Sequence, residues 1–281
     1  MSRGYYRLAA LDMDGTLLNT AHETTPFTRA ALARAAEVGK VIALCTGRCM
    51  SELWPHLEVN PGIRYAICES GGCVYDVWEK KVLRQATIDQ ALVGRILDMA
   101  RAYDVCVQVF AQNQSYMELE DVERLRHYHI YDFLSVFTAG SVFVKDARAV
   151  WREAGGLEKI NLYFSTEEQK RDFGGRMAGA NAFLADSLSH GYEISPPEAT
   201  KGLGLEALCR HLDIPVAETM AVGDGGNDLE LMQAAGFSVA MANATEEIKA
   251  AADAFTDDCD HDGAAKAVLR WMLGERAWDT L

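Results

Sequence analysis

In Leu8-Ala9-Ala10-Leu11-Asp12-Met13-Asp14-Gly15-Thr16, a short apolar run halts at an aspartate and gives way to a glycine turn. A strand buried on both faces reads as such an unbroken run, because neither side of it meets water. Beyond the turn, a helix is predicted over 25–38, with Thr25 able to cap it, Pro26 suited to its first turn and Gly39 to its end. The next apolar run, 41–45, halts again at polar residues, Thr46-Gly47-Arg48. Strand, helix and strand at this spacing predict a βαβ crossover in a parallel sheet.

The pattern changes after about residue 80. Ile88, Leu92, Val93, Ile96, Leu97 and Ala100 form a helical stripe, and Val105, Val107 and Val109 alternate as in a half-buried strand. Residues 160–164 read as a further strand, Ser165 with Glu168 has the spacing of a capping box, and 183–185 and 192–194 read as short strands. The βα alternation then returns, with a helix over 202–212, a strand over 219–222 ending at Gly223-Asp224, a helix over 229–235 and a strand over 238–241. The expected fold is α/β. Residues 1–81 and 193–281 build a Rossmann-like parallel-sheet core with helices on both faces, and 82–192 form an inserted α+β unit.

Composition narrows the function. The 281 residues carry a formal net charge of −14, the opposite of a nucleic-acid-binding surface. Nearly half the residues are apolar, enough for a sizeable core, yet no run approaches the length of a membrane span and the N-terminus lacks a signal-peptide core. Seven cysteines with no C-x-x-C pair argue against a disulfide framework or a structural zinc and fit a reducing cytoplasm. An anionic substrate would then need a local positive field from a metal, a basic side chain or backbone N–H groups.

Three apolar runs end in polar clusters: Asp12-Met13-Asp14-Gly15-Thr16, Thr46-Gly47-Arg48 and Gly223-Asp224-Gly225-Gly226-Asn227-Asp228. The carboxyl ends of parallel strands share one edge, where ligands bind, so the clusters are expected to converge. Asp12, Asp14, Asp224 and Asp228 in one small volume would repel strongly, and a hard divalent cation, Mg2+ above all, relieves that when phosphate oxygens complete its shell. Thr46 and the N–H groups beside Gly47 and Gly15 suit phosphate oxygens, and Lys201 can supply positive charge.

Asp12-x-Asp14-Gly15-Thr16, Thr46-Gly47-Arg48, Lys201-Gly202 and Gly223-Asp224-x-x-Asn227-Asp228 resemble the four ordered motifs of the haloacid dehalogenase superfamily. The length of the insert resembles the class IIB cap of its Cof-like phosphatases, and Ala240-Met241-Ala242-Asn243-Ala244 resembles their C-terminal part. The resemblance implies that Asp12 is the nucleophile and that Asp14 protonates the leaving group and then activates water. It implies that Thr46, Gly47, Lys201 and Asn227 bind phosphate. Asp12, the Asp14 carbonyl and Asp224 would hold magnesium, with Asp228 supporting that shell. Ser70-Gly71-Gly72 departs from the Asn-Gly-Ala common in that group.

The function so implied is hydrolysis of a small phosphorylated metabolite through an aspartyl-phosphate. A phosphomutase of the same superfamily and a non-catalytic phospho-aspartate switch remain open, whereas a glycosyltransferase holding metal on Asp12-x-Asp14 has no use for Lys201. Arg48 is read either as binding substrate or as pairing with an acid of the core. The run Asp257, Asp258, Asp260, His261 and Asp262 is read as a solvated loop, and His127 and His129, on a predicted helix, as surface or packing residues. Trp151, Trp271 and Trp278 are expected to pack over core edges.

Overall fold

The computed structural model describes residues 6–188 and 190–274. Trp278 lies outside them. The chain forms two compact units, one of residues 1–48, 54–84 and 200–281 and the other of residues 49–53 and 85–199.

The described residues form fourteen strands in chain order: β1 (Leu8–Asp12), β2 (Val41–Cys45), β3 (Tyr65–Cys68), β4 (Cys73–Asp76), β5 (Lys81–Gln85), β6 (Val105–Ala111), β7 (Gln114–Glu118), β8 (Ser141–Val144), β9 (Lys159–Phe164), β10 (Phe183–Ser187), β11 (Gly191–Ser195), β12 (Thr219–Gly223), β13 (Phe237–Ala240) and β14 (Ala254–Phe255). The first unit holds an eight-stranded sheet in the order β14-β13-β12-β1-β2-β3-β4-β5. From β14 to β3 every pairing is parallel, and β4 turns back antiparallel to β3. Leu8, Ala9, Ala10 and Leu11 of the central strand are all fully buried, which explains their unbroken apolar run. In register, Leu11 lies opposite Val222 and Asp12 opposite Cys45. The polar residues that end β1, β2 and β12 therefore emerge along one edge.

The helix Pro26–Glu37 begins as predicted: the Thr25 side chain accepts from the Thr28 N–H and proline occupies the first turn. This helix packs against Gly263–Ala267, with Ala31, Ala265 and Leu269 as a small buried cluster. Lys201–Leu212, capped by Thr200, packs against Leu229–Ala234.

The second unit is a six-stranded sheet, β10-β11-β9-β6-β7-β8, antiparallel except between β7 and β8. The helices Gln90–Ala100 and Glu167–Met177 supply Leu92, Val93, Ile96, Phe173 and Met177 to its main apolar core. Three expectations need correction. β6 is buried along its whole length rather than half-buried, because Cys106 packs into a second cluster on the other face of the sheet. The helix cap falls on Thr166, which accepts from the Gln169 N–H, and Ser165 instead donates its N–H to the Asp104 carbonyl. His127 and His129 lie in turns, and His127 bonds the Asp104 carboxylate at 2.5 Å. Trp271 packs against Phe237 with the rings tilted, and Trp151 packs on the second unit's core, as expected of both.

All seven cysteines are free thiols, and six are buried. Among the described residues, no helix is long and apolar enough to cross a membrane.

Candidate active site

Asp12, at the end of β1, has nearly all its surface covered, and its Oδ1 accepts from Lys201 Nζ at 2.5 Å. The same ammonium donates to Asp228 Oδ1 at 2.6 Å. Lys201 is 1 % exposed, an extreme position for a lysine, sustained by two carboxylates that are themselves buried. It is the first residue of the helix Lys201–Leu212, whose start is pressed against the turn after β3. There Glu69, Ser70 and Gly71 all take positive φ, and a Cβ on Gly71 would lie 1.8 Å from the Thr200 carbonyl oxygen. Only glycine lets those backbones approach so closely.

Asp228 is used on both oxygens. Oδ1 takes the lysine, and Oδ2 accepts the backbone N–H groups of Asp224 and Gly225, each at 3.0 Å. It thereby fixes the turn that presents Asp224. The Asp224 Oδ1 accepts from Thr16 Oγ1 at 2.7 Å, and its Oδ2 lies 3.4 Å from Asn243 Nδ2. Gly15, at φ +79°, leaves room for this carboxylate, since a Cβ there would stand 2.5 Å from Asp224 Oδ2.

Asp12, Asp224 and Asp228 bring one carboxylate oxygen each within 4.8 Å of one another. Among the described residues, one lysine faces these three acids. Burial first, and then the nearby charges of Asp228 and Asp224, push the Asp12 carboxyl up from 3.8 to about 8, with Lys201 opposing. Burial likewise raises Asp224, helped by Asp228 and opposed by the Thr16 hydroxyl. For Lys201, burial alone would lower the ammonium, but the charges of Asp12 and Asp228 outweigh it and the group is raised. The cluster is short of positive charge, and all its donors are hard oxygens, as a divalent cation of the magnesium type requires.

Asp14 stands apart from this cluster. Its side chain is half-exposed and gripped by Arg48, with Nε to Oδ2 at 3.0 Å and Nη2 to Oδ1 at 2.5 Å. Of the two readings of Arg48, the structure therefore realises the pairing with a core acid. Thr46, just past β2, is buried, and its hydroxyl accepts from the Arg48 N–H at 3.2 Å. Gly47 follows, close to the Ser70 hydroxyl. Asn227 is exposed on the turn after β12. Thus Asp12, Asp224, Asp228 and Lys201 converge through side chains, whereas Asp14 turns to Arg48.

Thr16 and Asn243 touch the Asp224 carboxylate, yet sequence reasoning assigned neither a role. The edge rule could have found Asn243, which lies three residues past the end of β13 in the same parallel sheet. The acidic run 257–262 is built into the structure. Asp260 accepts from the Thr20 N–H and hydroxyl, Asp262 from the hydroxyls of Thr25 and Thr28, and Asp257 from Lys266.

The chain matches the haloacid dehalogenase-like hydrolase family over residues 9–268. It is 31% identical over 278 residues to the phosphatase YwpJ of Bacillus subtilis, an alignment covering 92% of this chain and 97% of that protein. The HMP-PP phosphatase of Serratia proteamaculans is 30% identical over 273 residues, covering 95% and 96%. The solved structure of the subclass IIB sugar phosphatase BT4131 superposes with a TM-score of 0.76 at 25% identity, over 95% of this chain and 99% of that one. With its parallel-sheet unit, its second mixed sheet and an acidic cluster at the strand ends, the chain belongs to the haloacid dehalogenase-like hydrolases and is a phosphatase of that superfamily.

Proposed function

We propose that the protein hydrolyses a small phosphate monoester with magnesium, through a phosphoryl group carried on Asp12. The observation that carries this reading is the buried Asp12–Lys201–Asp228 network, with Asp224 beside it, at the carboxyl edge of the parallel sheet. Asp12, the Asp14 carbonyl and Asp224 would hold the cation, with Asp228 bracing the turn of Asp224. Bound there, magnesium supplies the positive charge that the three carboxylates lack and that phosphoryl oxygens need.

An Asp12 carboxylate oxygen attacks phosphorus, the bond to the ester oxygen breaks, and Asp14 passes a proton to the departing alkoxide. Asp14, now a carboxylate, takes a proton from water. The hydroxide so formed attacks the same phosphorus and restores free Asp12 as inorganic phosphate leaves. Lys201, Thr46, the Gly47 N–H and Asn227 hold the phosphoryl oxygens through both displacements. For Asp14 to serve, Arg48 must give up its two bonds to that carboxylate.

The second unit acts as the cap that selects the leaving group. The named relatives act on HMP-PP in one case and on sugar phosphates in another, so the substrate class is a small phosphorylated metabolite. The test is phosphate release from a panel of such esters, with magnesium and then with a chelator. Release from at least one ester that stops on chelation is the expected result. Release that survives complete chelation would remove the metal from the reading, and no release from any ester would favour a mutase.

A pH dependence follows from the crowded acids. In metal-free protein the Asp12 carboxyl titrates near 8 when folded and near 3.8 when unfolded, so the folded state binds the extra proton between those values. The stability that the Asp12 carboxyl contributes in chelator is therefore fully present below about pH 4 and is lost, by on the order of a few kcal/mol, as pH rises to about 8. Saturating magnesium should flatten that slope. Thermal unfolding across this pH range with chelator and with magnesium measures it, and parallel curves would contradict it.

A further inference from the structure

We infer that Asn243 is a positioning residue for the metal site, the link through which the acidic loop 257–262 holds Gly15 and Asp224 in place. The inference rests on the proposed role of Asp224 as a magnesium ligand.

The Asn243 amide is used at both ends. Its Nδ2 donates to the Gly15 carbonyl at 2.8 Å and lies 3.4 Å from Asp224 Oδ2, and its Oδ1 accepts the Cys259 N–H at 3.1 Å. This arrangement fixes which way the amide faces, since only the NH₂ end can meet a carbonyl and a carboxylate, and only the oxygen can meet an N–H. The surrounding loop is tied to the same turn by its backbone: Met241 N–H donates to the Gly223 carbonyl and Thr245 N–H to the Asp224 carbonyl.

On the far side of Asn243, the acidic loop is tied down by hydrogen bonds at several points. Its aspartates do not gather around a common point. Asp258 accepts from the His261 N–H and ring, Asp260 grips Thr20, Asp262 grips the first turn of the helix Pro26–Glu37, and Asp257 pairs with Lys266. Those bonds set the position of the Cys259 N–H, which sets the amide. Asp224 is then held on one oxygen by Thr16 and approached on the other by Asn243, while Gly15, whose φ of +79° leaves no room for a side chain, is pinned by its carbonyl. Partners that orient a metal's ligands contribute on the order of ten- to a hundred-fold in affinity.

The experiment titrates magnesium chloride into the full-length protein and follows thermal unfolding, for wild type, Asn243→Ala and Asn243→Leu. Both variants are expected to need at least about ten-fold more magnesium for half of the full shift. Each shift is measured from that variant's own metal-free unfolding temperature, because losing the amide's bonds lowers this baseline as well. At saturating magnesium their kcat and their KM for the best ester of the panel should return to wild-type values. If the wild type responds and the variants titrate within two-fold of it, the inference is overturned while the metal reading stands. Activity that stays low at saturating magnesium also overturns it, by placing Asn243 on the substrate. A wild type that magnesium does not stabilise overturns both readings.

Discussion

Replacing Asp12 by asparagine is expected to lower phosphate release by on the order of 10⁴-fold or more in a protein that stays folded. The amide has almost the shape of the carboxylate but cannot accept a phosphoryl group and be regenerated by water, so the two-step reaction has no entry. The fold has reason to tolerate the change. Lys201 keeps its 2.6 Å bond to Asp228, and one of three crowded negative charges disappears. In chelator at pH 8, where the native carboxyl is held far above its ordinary range by burial and its neighbours, Asp12→Asn should unfold at a higher temperature than wild type. Phosphate release in magnesium and thermal unfolding in chelator test the two halves separately. Turnover at the native rate would end the case for Asp12 as nucleophile, and a lower unfolding temperature would show that the Asp12–Lys201 attraction outweighs the crowding.

Lys201→Met should damage both stability and rate. The lysine is 1 % exposed and is bonded to two acids that are themselves buried, so removing it strands both carboxylates. Breaking a buried ion pair from one side costs about 3–5 kcal/mol. On the proposed mechanism, where this ammonium would also hold phosphoryl oxygens, its loss should lower kcat by a further 10² to 10³-fold, as an order of magnitude. The two effects should respond differently to metal. Magnesium replaces part of the missing charge in the acid cluster, so it should raise the unfolding temperature of the variant by more than that of wild type. Arginine is not a remedy, because its planar fork is larger than the space an ammonium occupies between two side chains. Equal stability of Lys201→Met and wild type in chelator would mean that this network does not hold the site together.

Much of the core was legible because its signals are local. An apolar run buried on both faces needs no partner to be recognised, and Leu8–Asp12, Val41–Cys45 and Thr219–Gly223 each end at the polar residues where the sequence changes character. Thr25 and Pro26 announce their helix for the same reason. The short strands Cys73–Asp76 and Lys81–Gln85 were not legible, since four or five residues of mixed polarity carry little periodicity and gain their strand geometry from pairing. Ser165 and Thr166 are equally good caps by composition; in the structure Thr166 takes the Gln169 N–H, while the Ser165 hydroxyl accepts from the Gln169 side chain and its N–H joins Asp104, 61 positions earlier. β6 carries valine at every second position from 105 to 109 yet is buried at all seven, because side chains from elsewhere cover its second face.

By itself, the sequence determined that a parallel sheet carries Asp12, Thr46 and Asp224 to one edge, because strand ends follow from local patterning and parallel strands share an edge. Only the tertiary structure decided what each acid touches. Lys201 reaches Asp12 across 189 positions, Asn243 reaches Gly15 across 228, and Asp14 turns away from the cluster to Arg48. Partners so distant in sequence meet through packing and register, and a buried charge that misses its partner costs more than the bond it would have made.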